Sequence, residues 1–165
     1  MTAEKPQKLN IYTFLATLCG IGFIPVMPGT FGSLLAYGIY MLFSGSPFQG
    51  KALFYALPAL IVLCLIAVFL STKAEKTLGR DNGSIVIDEF CGYYVSVLFL
   101  PHSWLIGLYA FVLFRVFDIA KPFPIKKVQE LPSGWGVVTD DIIAGIYTNI
   151  LIQILTKIYP KFFGL

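Results

Sequence analysis

Between Lys51 and Lys73 the chain carries no charge, and residues 52–71 are almost wholly apolar. A helix of about 20 such residues, rising about 1.5 Å each, matches the roughly 30 Å hydrocarbon layer of a bilayer. Residues 137–159 form a second run of that length, opened by the acids Asp140 and Asp141. The whole chain has the same character: 57% of its 165 residues are hydrophobic and 13% charged, with a mean hydropathy of +0.79. Soluble domains hold about 45–50% and about 25%. An ordinary soluble domain is therefore excluded, and the expectation is an all-α, polytopic membrane helical bundle forming one domain over residues 1–165. The polar start MTAEKPQK contains an acid, and the apolar stretch after it has no A-x-A cleavage site, so no removable signal peptide is expected.

Shorter apolar segments cover residues 9–27, 31–43, 85–100 and 104–117. Gly20, Gly22, Pro25 and Pro28 break the first, which is read as an N-terminal interfacial or re-entrant helix. The others bring the total to about five spans. Segments 85–100 and 104–117 form a tight hairpin whose short arms need thinned bilayer or packing partners. Lys5, Lys8, Lys73, Lys76, Arg80, Arg115, Lys121, Lys126 and Lys127 fall on one side of this arrangement, with Lys51, Lys157 and Lys161 on the other. Nine against three places the first group in the cytoplasm.

With that topology PGTFGS (28–33), DNGSIVIDEF (81–90), FRVFDIAKPFPI (114–125) and GWGVVTDD (134–141) all land at cytoplasmic helix ends, where they can share a site. NGSIVIDE and SGWGVVTDD also resemble each other, each with a glycine four residues beyond an acid: Asp88 to Gly92, and Asp141 to Gly145. At about 100° per residue Asp141, Gly145 and Thr148 share a face with Asn149 at its margin, and the glycines permit close helix approach. A helix N-terminus favours such acids by roughly 0.3–1 kcal/mol. Asp118 falls near a helix C-terminus instead, where the dipole opposes it and Arg115 offsets only part of the cost.

Asp88, Glu89, Asp118, Asp140 and Asp141 are five of the nine acids, and Arg115 and Lys121 are the nearby bases, a balance of about minus three. That excess calls for a cation. Oxygen donors without His or Cys suit a hard ion, Mg²⁺ before Ca²⁺ or Mn²⁺. Singly, each motif has a plainer reading: acidic helix caps, an i,i+3 ion pair of Arg115 with Asp118, a Pro-Gly turn ahead of a helix from Leu34, a snorkelling Lys121 after a helix stop. Four such motifs on one side favour a site, in which Thr30, Ser33 and the backbone N–H groups of PGTFGS offer a phosphate cradle. Cys19, Cys64 and Cys91 stand singly in apolar stretches as packing residues, and one histidine, His102, leaves zinc and haem without their usual ligands.

In this order and over nearly the full length, ATLCGIGFIPVMPGTFGSLLA, IVIDEFCGYY, FRVFDIAKPFPI and GVVTDDIIAG resemble the phosphatidylglycerophosphatase A family. The resemblance implies a Mg²⁺-dependent phosphatase of the bacterial inner membrane, multi-pass, with its site facing the cytoplasm. Its lipid substrate would be phosphatidylglycerophosphate and its product phosphatidylglycerol; its partners are that lipid and the bilayer, with no nucleic acid. Asp88, Glu89, Asp118, Asp140 and Asp141 match the family's metal and catalytic positions, and Arg115 and Lys121 its phosphate contacts. Which acid orients water, how many ions bind, and the oligomeric state stay open. A cation transporter or channel is the alternative, opposed by the gathering of acids at one membrane face instead of the midplane. No DxDxT, CxxxxxR or DxxDG…AR pattern occurs, and the topology puts His102 on the opposite face.

Overall fold

The computed structural model of the protein describes residues 10–42 and 50–164; Lys5 and Lys8 lie outside them. Every regular element among the described residues is helical: α1 (Ile11–Ala16), α2 (Pro28–Leu42), α3 (Leu53–Leu78), α4 (Ile87–Ser96), α5 (Trp104–Ala120), α6 (Ile125–Val128) and α7 (Gly134–Ile158), with short 3₁₀ turns at Ile21–Phe23, Gly50–Ala52 and Pro160–Phe163.

Asn10 caps α1 reciprocally with Thr13, the Asn10 side chain accepting from Thr13 N at 2.8 Å. The helix stops at Ala16, where Leu18 and Cys19 take positive φ ahead of Gly20. The break comes well before Pro25. α1 packs on α3, and Val86 N donates to Ala16 O, which ties this short helix to the segment leading into α4.

α2 begins at Pro28, not at Leu34, so PGTFGS makes the first turns of a helix rather than a loop before one. Proline presets helical φ at a first helical position, where its missing N–H is no loss. Gly32 then presses on the chain before α4: a Cβ there would stand 3.0 Å from both Cβ and the carbonyl oxygen of Val86.

α3 and α7, of 26 and 25 residues, are long and apolar enough to cross a membrane. α2 and α5 have 15 and 17 residues. α4 has ten, and rises only about 15 Å, half a hydrocarbon layer. Its apolar segment runs on to residue 100, but the chain turns after Ser96 and Phe99 adopts φ 63°. α4 is the inner helix, in contact with α2, α3, α5 and α7, and Cys91, Tyr93, Tyr94 and Ser96 are buried. Its closest partner is α7. A Cβ on Gly145 would lie 2.5 Å from Gly92 O, and one on Gly92 would lie 2.8 Å from Asp141 O. The two glycines let these backbones touch, as their spacing from the acids suggests.

Outward faces are apolar too. Leu108, Val112, Val116 and Ile119 on α5 and Ile146, Ile150, Ile154 and Ile158 on α7 form exposed stripes at helical spacing. α3 runs antiparallel to α7, since Gly134 meets Val68 and Thr72. Lys73, Lys76, Arg80, Arg115, Lys121, Lys126 and Lys127 thus gather at one end of the bundle, and Lys51, Lys157 and Lys161 at the other.

Candidate active site

The four polar motifs meet at the base-rich end. Asp88 and Glu89 occupy the first turn of α4, where unpaired backbone N–H groups favour negative charge. Asp140 and Asp141 do not share that benefit. α7 starts at Gly134, so the pair lies in its second turn, and the helix-start account of their tolerance is corrected. The earlier start follows from packing: Gly134 N donates to Thr72 Oγ1, and Gly134 and Gly136 sit where a Cβ would strike Val68 O and Gln129 O.

Carboxylate oxygens of Asp88, Glu89 and Asp141 lie within 4.8 Å of one another. Asp88 and Asp141 are buried, at 7% and 3% exposure. The other two acids are taken up by bases. Asp118 Oδ2 stands 2.7 Å from Arg115 Nη1, which is also 3.7 Å from Glu89 Oε1. Asp140 Oδ2 accepts from Lys121 Nζ at 2.6 Å, and its Oδ1 accepts from Asp141 N. Asp118 and Asp140 remain within electrostatic reach of Asp141.

Lys121 caps α5 in the left-handed region, φ 42°. Tyr147 Oη on α7 donates to Phe123 O at 2.9 Å, so the loop after Lys121 is pinned to the helix that carries Asp140. Burial disfavours the Lys121 ammonium. The hydrogen bond and charge of Asp140, with Asp118 and Asp141 behind it, outweigh that and lift it above the ordinary lysine range.

α2 contributes space. A Cβ on Gly29 would stand 1.9 Å from Glu89 Oε1 and 3.1 Å from Arg115 Nη1, so only glycine lets these two side chains occupy their places. Sequence reading treats Gly29 as a source of free backbone N–H; its real signal is the missing side chain beside a charged pair. Of the two hydroxyls in PGTFGS, Ser33 is fully buried and donates to Gly29 O, whereas Thr30 Oγ1 is buried without a partner among the described residues. Asn149 also has a task that its place on the Asp141 face does not disclose: its amide donates to Ser96 O and Leu98 O, closing the C-terminal end of α4.

Among the described residues, buried polar atoms without partners concentrate here: Thr30 Oγ1, Asp88 Oδ1, Glu89 Oε2 and Arg115 Nε, with Arg115 Nη1 held by charge alone. Such atoms are costly unless a ligand satisfies them. The three clustered acids suit a hard divalent ion. Ligands about 2.1 Å from an octahedral ion lie up to about 4.2 Å apart, so little movement separates these oxygens from that geometry. Beside them, Arg115 and Lys121 provide donors for the oxygens of an anion. His102 lies at the far end of α2, its Nε2 donating to Tyr40 O at 3.0 Å, and takes no part. All three cysteines are free; Cys64 and Cys91 lie side by side between α3 and α4.

Residues 14–156 match the family described as phosphatidylglycerophosphatase A. A protein of Bacteroides thetaiotaomicron with the provisional name phosphatidylinositol-3-phosphatase is 38% identical over 157 residues, covering 92% of this chain and 96% of its own. Phosphatidylglycerophosphatase A of Escherichia coli is 34% identical over 154 residues, 92% of this chain and 87% of its own. Its namesake from Haemophilus influenzae is 39% identical over 161 residues, with 92% and 95% covered. No solved structure matches the chain.

Proposed function

The chain belongs to the phosphatidylglycerophosphatase A family, and on that footing we propose that it hydrolyses the terminal phosphomonoester of phosphatidylglycerophosphate to phosphatidylglycerol and phosphate. The observation that carries this reading is the group of three carboxylates beside Arg115 and Lys121, with buried polar atoms left for a ligand to satisfy. Mg²⁺ held by Asp88, Glu89 and Asp141 would neutralise charge on the phosphoryl oxygens. Arg115 and Lys121 clamp the remaining oxygens, and the hydroxyl of Thr30 donates to one of them. Ser33 has its hydroxyl committed to its own helix and serves by packing. Asp140 has both oxygens engaged and positions Lys121. Asp118 gives one oxygen to Arg115 and keeps the other to orient water in line with the leaving alkoxide.

The whole chain acts as one domain in the bacterial inner membrane. α3 and α7 span it, α2, α4 and α5 complete a count of about five with α4 reaching halfway, and α1 lies at the interface. The base-rich end and the site face the cytoplasm. A transporter is disfavoured because the acids cluster at that end and two are bound to bases.

The test is phosphate release by purified protein from phosphatidylglycerophosphate and phosphatidylinositol 3-phosphate, with and without Mg²⁺, for wild type and Asp141→Asn. Wild type should prefer the first lipid and need Mg²⁺, and Asp141→Asn should be inactive or need far more of it. In thermal melts Mg²⁺ should raise the wild-type midpoint more than the mutant's. Full activity in Asp141→Asn with an unchanged Mg²⁺ response refutes the ion site, and a preference for the inositol lipid refutes the substrate.

A further inference from the structure

Beside the face of α7 that carries Asp141, α3 and α7 enclose an apolar groove of about 280 Å³, floored by Val95 of α4 and Leu98. Leu57, Ile61, Leu65 and Val68 form one wall, and Trp135 and Ile142 the other. From Leu57 to Val68 is eleven residues of helix, about 16 Å, close to the depth of one bilayer leaflet. One turn beyond Val68, at the base-rich end, a polar cavity of about 370 Å³ continues the line, bordered by Thr72, Glu75, Lys76, Arg80 and Ser133. Glu75 is turned to the loop after α3, accepting from Asp81 N at 2.8 Å. Arg80 gives one N–H to Glu130 O and keeps its other donors, and Lys76 has no ion pair among the described residues.

We infer that this face is a second lipid site, taking one anionic phospholipid with an acyl chain in the α3–α7 groove and its phosphate against Lys76, Arg80 and Ser133. Charge complementarity selects the occupant: two bases at the mouth against one engaged acid favour an anionic head over a zwitterionic one. Length selects the class, because the apolar part ends one leaflet below the bases. The site is separate from the catalytic one. Trp135 and Ile142, seven residues apart, lie on one side of the helix about 120° and 100° round from Asp141, and Thr139, which also lines the groove, about 160°. The inference rests on the bilayer placement proposed above.

Trp135 is a reporter built into the groove wall, and Trp104→Phe makes it the single tryptophan. The full chain with that change is reconstituted in phosphatidylcholine bilayers containing increasing fractions of brominated phosphatidylserine or brominated phosphatidylcholine. The serine lipid is anionic yet lacks the phosphomonoester that the catalytic site takes. It should quench Trp135 with about fivefold to thirtyfold higher relative affinity than the choline lipid, the scale of one to two bases near a membrane surface. Lys76→Gln with Arg80→Gln should abolish the preference while phosphate release stays within about twofold of the parent, which shows that the fold persists. Equal quenching by both lipids in the parent means ordinary boundary lipid and overturns the site alone. A preference that survives the double substitution overturns it as well. No quenching by either lipid overturns it together with the bilayer placement.

Discussion

Gly29→Ala should remove activity and leave the fold nearly untouched. Its new Cβ would stand 1.9 Å from Glu89 Oε1 and 2.8 Å from Glu89 Cδ. Carbon and oxygen need about 3.3 Å, so the carboxylate must retreat by about 1.4 Å. What yields is the tip of a flexible side chain and not backbone, so helix packing and the melting midpoint should change little. The carboxylate's position is what matters to the reaction. Misplacement of a reacting constellation by about 1 Å costs on the order of 100-fold in rate, or about 2.7 kcal/mol of transition-state stabilisation. Arg115 Nη1, 3.1 Å from the same Cβ, is disturbed as well. Gly32→Ala is the control: it meets Val86 Cβ and carbonyl at 3.0 Å, away from the charged groups, and should cost stability more than turnover. Initial rates of phosphate release from a short-chain phosphatidylglycerophosphate, with melting of the same preparations, separate the two. A Gly29→Ala protein within threefold of wild-type kcat/KM, at an unchanged Mg²⁺ requirement, would refute Glu89 as part of the ion site.

Arg115→Lys should lose about 100-fold in kcat/KM although charge is kept, because an ammonium cannot donate from two fixed N–H groups; near-wild-type turnover would reduce Arg115 to a structural partner of Asp118. Cysteines placed at Ser84 and Ser133 in a cysteine-free background should react with impermeant thiol reagents only after cells are opened; labelling in intact cells would reverse the orientation. Gly145→Ala, with its Cβ 2.5 Å from Gly92 O, must push α4 and α7 apart and should cost about 1–3 kcal/mol, read as a melting midpoint lowered by several degrees; an unchanged midpoint would mean that the helices do not cross there.

What the sequence discloses here depends on how far apart the interacting residues lie. The Asp141–Gly145 and Asp88–Gly92 spacings declare the α4–α7 crossing because helical geometry is local and a missing side chain four residues along marks the same face. The i,i+3 pair of Arg115 and Asp118 is legible for the same reason. Helix starts are less so. PGTFGS reads as a loop because glycines disfavour helix, yet α2 begins at Pro28, since Gly29 and Gly32 are needed small against Glu89 and Val86, residues about 60 positions away. α7 likewise begins before Asp140, because Gly134 and Gly136 dock on α3 and the 129–131 segment.

The acids show the same division. Counting charges in the sequence finds five carboxylates against two bases but cannot say which three are left over. That choice is made by tertiary structure. Lys121 reaches Asp140 across 19 residues because α5 ends in a left-handed cap and Tyr147 holds the loop to α7; Arg115 holds Asp118 on its own helix at 2.7 Å and meets Glu89 only at 3.7 Å. Asp88, Glu89 and Asp141 remain, and they come from the two helices whose glycines bring them closest together. Like charges collected at the tightest crossing of a bundle are a poor arrangement for the apo protein. On the proposed function the arrangement becomes favourable when a cation and a phosphate enter, and that reading accounts for two adjacent aspartates in the second turn of a membrane-length helix.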